Sequence, residues 1–424
     1  MPATSPTSAR AAVFALLAGL GLVACDDGEG ATPPTTTAVV AGVPTTTAPP
    51  RADDGRLTVG LLLPSTGDGS AMGQFLSDAA RRAVNEVNVA GGVRGEPVEV
   101  VPADEGETAA EAAEAAQTLI DAGVDAVVGP ASSVAALSAL DVLLGAGVVT
   151  CSPTASTLAL DDYPGRDLFF RTAPSDSLQA LGLAQLAEQT GKSTVAVTWL
   201  DDVYGRPLAA AVTDALRLRP AMEVVASVPF GDRSVEEAAA EIAQADPGVV
   251  VVVADADDGT QLLAALSTVV LADPAVDQPD IIVNDAMRIP PSPQAIATLP
   301  PGFRASIQGL SPVATGTEDL TGPFATNAYD CAVLIALAAE QAGTDDHAAM
   351  ARAVSELSTR GGVCRTFDAC RAALVQGRNV DYDGPASPGV QIAADGDPDR
   401  ARYDQFVYDD AGIDRTTRTI TVSR

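Results

Sequence analysis

Two short stretches hold the residues best suited to grip a small charged molecule. Ser132 and Ser133 follow Gly129-Pro130, and Ser152, Thr154 and Ser156 follow a second apolar run a little further on. Each stretch offers hydroxyls and backbone N–H groups where a helix or loop begins, and a helix N-terminus favours an anion. Together they suit a seat for a small carboxylate, although ordinary helix N-caps use the same residue types. The elements that must position them are a strand at 124–128, a helix at 135–144 and a strand at 147–151. In a parallel α/β sheet both loops then fall on the carboxyl edge, where ligands collect.

Other chemistries find little support. The chain of 424 residues has a net charge of −31 and a pI of about 4.1, which argues against nucleic acid and against docking on anionic lipid. His347 is the one histidine, so neither a metal site nor His-based catalysis is expected. Carboxylate pairs such as Asp201-Asp202 and Asp257-Asp258 read as solvated loop acids without Ca²⁺-loop spacing. Gly67, Gly69 and Gly73, with Asp104 further on, form a loose dinucleotide fingerprint whose glycine spacing is one residue too long. No nucleophile elbow, P-loop or HExxH helix is present, and no catalytic residue, metal or cofactor is assigned.

The beginning of the chain reads as a processing segment, residues 1–24, with Arg10 ahead of an apolar run at 11–23 that is short for a membrane span. Leu22-Val23-Ala24-Cys25 resembles the bacterial lipobox, which implies diacylglycerol on Cys25; a plain secretory signal with a chance cysteine is the alternative. Residues 25–56, rich in Thr, Pro and acids, have too little apolar surface to fold and read as a disordered tether. Export leaves Cys151, Cys331, Cys364 and Cys370 in an oxidising setting. Cys364 and Cys370 flank a short turn and are expected to pair. Cys151 and Cys331 bridge if their strand and helix are neighbours, and otherwise stay as buried thiols.

From residue 57 onward, apolar runs alternate with amphipathic helices, an α/β pattern of mostly parallel sheet. Strands are expected at 57–63, 97–101, 194–200, 224–228, 249–254 and 281–285. Helices are expected at 74–89, 107–122, 177–190, 205–216, 235–245 and 261–270. The pattern pauses near 169–172 and restarts, which suggests two lobes. A helical region follows at 324–343, 347–358 and 367–376, then a β-rich tail with strands at 390–393 and 403–408.

The ordered markers LLLPSTG, VGPASS, CSPTAS, LFFRTAPSD, DDVYG, AYDCAVLIALAA and DYDGPASPG resemble the type I extracytoplasmic solute-binding proteins of branched-chain amino acid ABC importers. The resemblance runs from about residue 57 to the end. It implies two Rossmann-like lobes joined by three crossover strands near Ser175, Leu310 and Gly384. Lobe one would hold 57–175 and 312–384, and lobe two 176–307 and 388–424. It also implies a monomer, lipid-anchored outside the cytoplasm, that captures a small ligand between its lobes and delivers it to an ABC permease. A ligand-sensing receptor of the same fold is the alternative.

Site roles carry over one position at a time. Ser133, with Ser132 beside it, would meet the ligand carboxylate, Thr154 would offer its carbonyl to the ammonium, and Ser156 a hydroxyl and N–H. Tyr204 would close over the ligand, and Asp285 would neutralise the ammonium. A core tyrosine and a helix cap are the plainer readings of those two. Where leucine binders commonly have an aromatic, this chain has Asp255. A second carboxylate in the cleft favours a polar or cationic amino acid or derivative, unless Asp255 points away.

Overall fold

The computed structural model describes residues 54–424 apart from 68, 274–275, 290, 314–319, 387–390 and 394. The processing segment, Cys25, nearly all of the tether and Val390 of one expected strand lie outside the described residues.

Short Val/Leu runs become parallel strands, and the Ala-rich stretches between them become helices that cover both sheet faces. The first sheet is built from β1 (Thr58–Leu63), α1 (Ser70–Val89), β2 (Glu99–Asp104), α2 (Ala109–Asp121), β3 (Ala126–Val128), α3 (Ser133–Gly145), β4 (Val149–Ser152) and β5 (Phe169–Arg171). Its strands are all parallel in the order β2-β1-β3-β4-β5. The chain then leaves for a second sheet through α4 (Asp176–Gln189), β6 (Thr194–Leu200), α5 (Gly205–Arg217), β7 (Glu223–Phe230) and α6 (Val235–Gln244). That sheet continues with β8 (Val249–Val253), α7 (Ala256–Ala272), β9 (Asp280–Val283), two short helices α8 (Ser292–Ala297) and α9 (Pro301–Arg304), and β10 (Ile307–Pro312). It returns as α10 (Ala325–Ala342), α11 (His347–Leu357), β11 (Gly362–Cys364), α12 (Phe367–Leu374) and β12 (Val380–Tyr382). Finally β13 (Arg400–Tyr408) and β14 (Asp414–Ser423) join the second sheet, whose order is β14-β13-β10-β9-β8-β6-β7. Only β13 runs against the other strands, pairing antiparallel with β10 on one side and with β14 on the other.

Burial explains the strand sequences. β8 is five valines, all buried, because α4 and α5 cover one face of its sheet and α6 and α7 the other. The returning helix α10 is buried along nearly its whole length, from Ala325 to Ala339, and packs with α1 into the core of the first sheet. That position demands apolar or hydrogen-bonded residues all round, and the stretch is mostly Ala, Val, Leu and Ile.

Some boundaries differ from expectation. Residues 169–171 form the edge strand β5 rather than a pause, and Leu310 lies inside β10, paired with Gln405. Helix α7 begins at Ala256, five residues before the expected 261, because Asp255 caps it: its Oδ1 accepts the Asp258 N–H at 2.8 Å. Both cysteine pairs are disulfides, Cys151–Cys331 with Cα atoms 5.6 Å apart and Cys364–Cys370 with 5.3 Å.

Two of the passages between sheets meet at one buried guanidinium. Arg171, at the end of β5, is fully buried. Its Nε and Nη2 each donate to Asp397 at 2.6 Å, and Nη2 also donates to Asp161 at 2.7 Å. Its Nη1 donates to the carbonyls of Ala155 and Thr157 at 3.4 and 3.2 Å, so all five N–H donors are engaged. The Arg171 N–H donates to the Gly396 carbonyl at 2.9 Å, tying the segment before β13 to the first sheet. Asp161 also accepts the Ser175 hydroxyl at 2.6 Å, so the passage into α4 is held by the same cluster. Burial works against the charge of Asp397, but the guanidiniums of Arg171 and Arg166 outweigh it and hold its carboxyl below the usual range.

Asp397→Ala removes one partner of a buried ion pair and leaves Arg171 underpaired, so urea unfolding is expected to show a loss of about 3–5 kcal/mol. Because the folded pKa of Asp397 is depressed, its contribution is present above about pH 4, the unfolded value, and fades as pH falls further. An unchanged midpoint for the variant at pH 7 would show that the pair is replaceable.

Candidate ligand-binding site

The site is assembled where the carboxyl edge of the first sheet faces the second. Two glycines set its shape. Gly129 ends β3 at φ +121°, where a Cβ would run into the Leu62 carbonyl. Gly73 lets α1 press on the loop after β1, since a side chain there would collide with the Pro64 carbonyl.

The loops are tied to one another before any ligand arrives. Ser152 donates its hydroxyl to the Pro130 carbonyl at 2.7 Å and accepts the Ala155 N–H at 3.0 Å. The Thr154 hydroxyl donates to the Ala131 carbonyl. Ser132 is an N-cap, its Oγ accepting the Ala135 N–H at 3.0 Å. Asp104 accepts the Ser65 N–H at 2.9 Å, the Thr66 hydroxyl at 2.6 Å and the Gly106 N–H at 3.2 Å. Those bonds, working against partial burial, bring its pKa down to about 2. Asp104 thus holds the β1 loop, a role that leaves little of it for a ribose.

Glu105 is an unforeseen member. Only 2% exposed, it accepts the N–H groups of Ala131 at 2.6 Å and Ser132 at 3.1 Å. The chain's own carboxylate therefore occupies part of the anion-favouring start of α3. Burial pushes its pKa up to about 7 in spite of those bonds.

Across from these residues, the Asp202 Oδ1 fixes the turn before α5 by accepting the N–H groups of Tyr204 at 3.0 Å and Gly205 at 2.6 Å. The Tyr204 hydroxyl receives a hydrogen bond from Asn284 Nδ2 at 3.2 Å and lies 3.5 Å from Asp285 Oδ1. Asn284, buried at the end of β9, accepts the Ala254 N–H at 3.2 Å. A cavity of about 450 Å³ lies between the two sides. Pro64, Met72, Glu105, Ser132, Ser133 and Thr157 line it from the first sheet, and Val203 and Tyr204 from the second.

The residues singled out from the sequence thus divide. Ser132, Ser133 and Tyr204 line the cavity, and Tyr204 joins Asp285 behind it. Thr154 and Ser156 lie on the adjoining loop, the Ser156 carbonyl accepting the Asp176 N–H at 2.8 Å. Asp255 is exposed, spends one oxygen on the cap of α7, and is not among the cavity-lining residues. Asp255 therefore supplies no carboxylate to this cavity.

Asp176 and Asp285, likewise not among the cavity-lining residues, lie next to Tyr204 instead. Asp176 is 2% exposed and follows the Ser175 cap at the start of α4. Burial, reinforced by the charge of Asp285, pushes its pKa up to about 7. Asp285 is also raised, chiefly by burial, against hydrogen bonds from the Gln179 side chain and the Ala286 N–H. Asp176 lies within the quoted stretch LFFRTAPSD, yet it reads there as an ordinary acid in a first helical turn. Its burial comes from tertiary packing, which brings it near Asp285 and near Tyr403 of β13, more than 200 residues away.

A family model described as a periplasmic binding protein matches residues 56–403. Leu/Ile/Val-binding protein homolog 3 of Brucella melitensis is 29% identical over 311 residues, 71% of this chain and 83% of that protein. Leu/Ile/Val-binding protein BraC3 of Rhizobium johnstonii is 34% identical over 170 residues; there the match spans 40% of this chain and under half, 46%, of the relative. The isoleucine complex of the branched-chain amino acid transporter substrate-binding protein LivJ from Streptococcus pneumoniae superposes with a TM-score of 0.66. It is 20% identical, with 87% of this chain and 100% of that chain covered. A solute-binding protein of Rhodopseudomonas palustris in complex with p-hydroxybenzoic acid gives 0.65 at 17% identity, covering 87% of this chain and 98% of that one.

Glu105 and Asp176 keep their protons in the folded chain up to about pH 7, whereas unfolded carboxyls lose theirs near pH 4. The native state binds more protons across that window, so stability falls as pH rises through it. The thermal midpoint is expected to drop between pH 5 and pH 8. Glu105→Gln and Asp176→Asn should each flatten the profile, and a slope identical to the parent's in both would contradict the assignment.

Proposed function

The chain belongs to the periplasmic binding protein family, a family of extracytoplasmic substrate-binding proteins rather than enzymes, and from that premise we propose that it captures an amino acid or related small polar ligand. Its two lobes would be residues 57–175 with 312–384, and 176–307 with 388–424. The ligand carboxylate meets Ser133 and Ser156, with Ser132 shaping the loop between helix and strand. The ammonium meets the Thr154 carbonyl and Asp285, and Tyr204 closes over both. The observation that carries this reading is the cavity bounded by Ser132 and Ser133 on one side and by Val203 and Tyr204 on the other. At about 450 Å³ it suits a molecule of amino-acid size.

The relatives' names include leucine, isoleucine and valine, and the superposed structures hold isoleucine and p-hydroxybenzoic acid. A carboxylate is common to all of them. Buried acids at this site favour a ligand that also brings a positive charge. We further propose that Cys25 carries diacylglycerol, that residues 25–56 tether the globule to the outer face of the membrane, and that an ABC permease receives the ligand.

Closure follows only from contacts that exist when both sides touch the ligand. Small-angle scattering is expected to show a smaller radius of gyration with saturating ligand, the ligand being identified first by mass spectrometry of what the purified protein releases on denaturation. Ser133→Ala removes one hydrogen bond to a charged group, about 1.5–3 kcal/mol or roughly 10–100-fold in affinity. Unaltered affinity in that variant would move the carboxylate elsewhere. For the anchor, Cys25→Ser is expected to abolish the diacylglycerol adduct in the mass spectrum of membrane-extracted protein; persistence of the adduct would refute the assignment.

A further inference from the structure

Behind Tyr204 lies a cluster of buried polar groups whose hydrogen bonding is incomplete. Asp176 and Gln179, one turn apart on α4, are each 2% exposed, and Tyr403 of β13 is fully buried. Asp176 Oδ2, Gln179 Oε1 and the Tyr403 hydroxyl have no hydrogen-bond partner among the described residues. Buried polar atoms are rarely left in that condition, and here three converge beside Asp285. The charged and titratable groups that face Asp176 are Asp285, Arg171, Asp161, Tyr204 and Tyr403. Arg171 is the one cation among them, and its five N–H donors are spent on Asp397, Asp161 and two carbonyls.

The cluster therefore holds two carboxyls and acceptor atoms with no cation among the described residues free to serve them. A single α-ammonium answers Asp285 alone. We propose that Asp176, Gln179 and Asp285 form a cation subsite that takes a second positively charged nitrogen, so that the ligand is a cationic amino acid or diamine. Tyr204 links the subsite to the cavity: it lines the cavity, and its hydroxyl reaches Asn284 and Asp285. Without the ligand, Asp176 relieves the clash of charges by keeping a proton; the ligand's cation displaces that proton to solvent. This inference rests on the proposed reading of the cleft as an amino-acid site.

Isothermal titration of the full chain with arginine, ornithine and leucine tests it, run at pH 6 in two buffers of different ionisation enthalpy. Arginine or ornithine is expected to bind at least 100-fold more tightly than leucine and to release close to one proton. Asp176→Asn should weaken the cationic ligand 10–100-fold, leave leucine unchanged and abolish the proton release. Gln179→Leu, a variant that keeps both carboxyls, should weaken the cationic ligand about 10-fold, and it decides the matter if Asp176→Asn fails to fold. Leucine binding as tightly as arginine, or wild-type affinity in Asp176→Asn, would overturn the subsite while leaving the amino-acid reading intact, the cluster then being hydrated only. Binding of benzoate with all three amino acids silent would overturn both.

Discussion

A guanidinium with no exposure to water keeps its charge only if the protein replaces every hydration contact, and Arg171 has arranged the surrounding chain to do so. Its donors collect the 155–161 loop, the segment before β13 and, through Asp161, the entry to α4. Asp397 receives a further cation from the chain end, where Arg424 Nη2 lies 3.2 Å from Oδ2. Two of the three passages between the sheets thus meet at one charge. The backbone joining Ser156 to Asp176 inherits its geometry from this contact, since the Asp176 N–H donates to the Ser156 carbonyl within a few residues of it.

The buried acids of this chain differ in how completely they are satisfied. Asp330 in α10 accepts the Tyr382 hydroxyl at 2.7 Å and the Ala386 N–H at 2.9 Å, one for each oxygen, and Gly384 beside it leaves no room for a Cβ. Glu105 likewise has one N–H for each oxygen. Asp176 has an oxygen with none. The first two look inward and hold elements in place, although Glu105 also borders the cavity. The third is the one whose chemistry is unfinished within the chain. Burial raises the pKa of all three to about 7, so the shift alone does not separate support from function; the hydrogen bonds do.

Much of the fold was legible because apolar runs and amphipathic spacing are local signals. The expected strand at 194–200 is β6 to the residue, and the run at 249–254 is β8 less one residue. What escaped was short or polar. β5, β11 and β12 are three residues each, and β14, mostly exposed, reads DRTTRTITVS with almost no apolar periodicity. Site residues were legible only as types. Ser132 and Asp255 have the side chains that bind ligands, but the same side chains cap helices, and both are spent that way. Asp176, Gln179 and Tyr403 carry no local sign at all, since their common surroundings exist only after β13 has joined the second sheet.

The disulfide between Cys151 and Cys331 spans 180 positions, and the strands β6 to β10 fall entirely between its ends. Topologically the seven-stranded sheet is thus largely a guest domain, looped out of a host whose exit and re-entry are joined through sulfur. A protease that nicks any exposed turn between β6 and β10 would leave a single covalent molecule until a reductant is added. The host's core, with α10 held against β4, would outlast such damage. In a member of an extracytoplasmic family, the bond keeps the two sides of such a cut in one molecule.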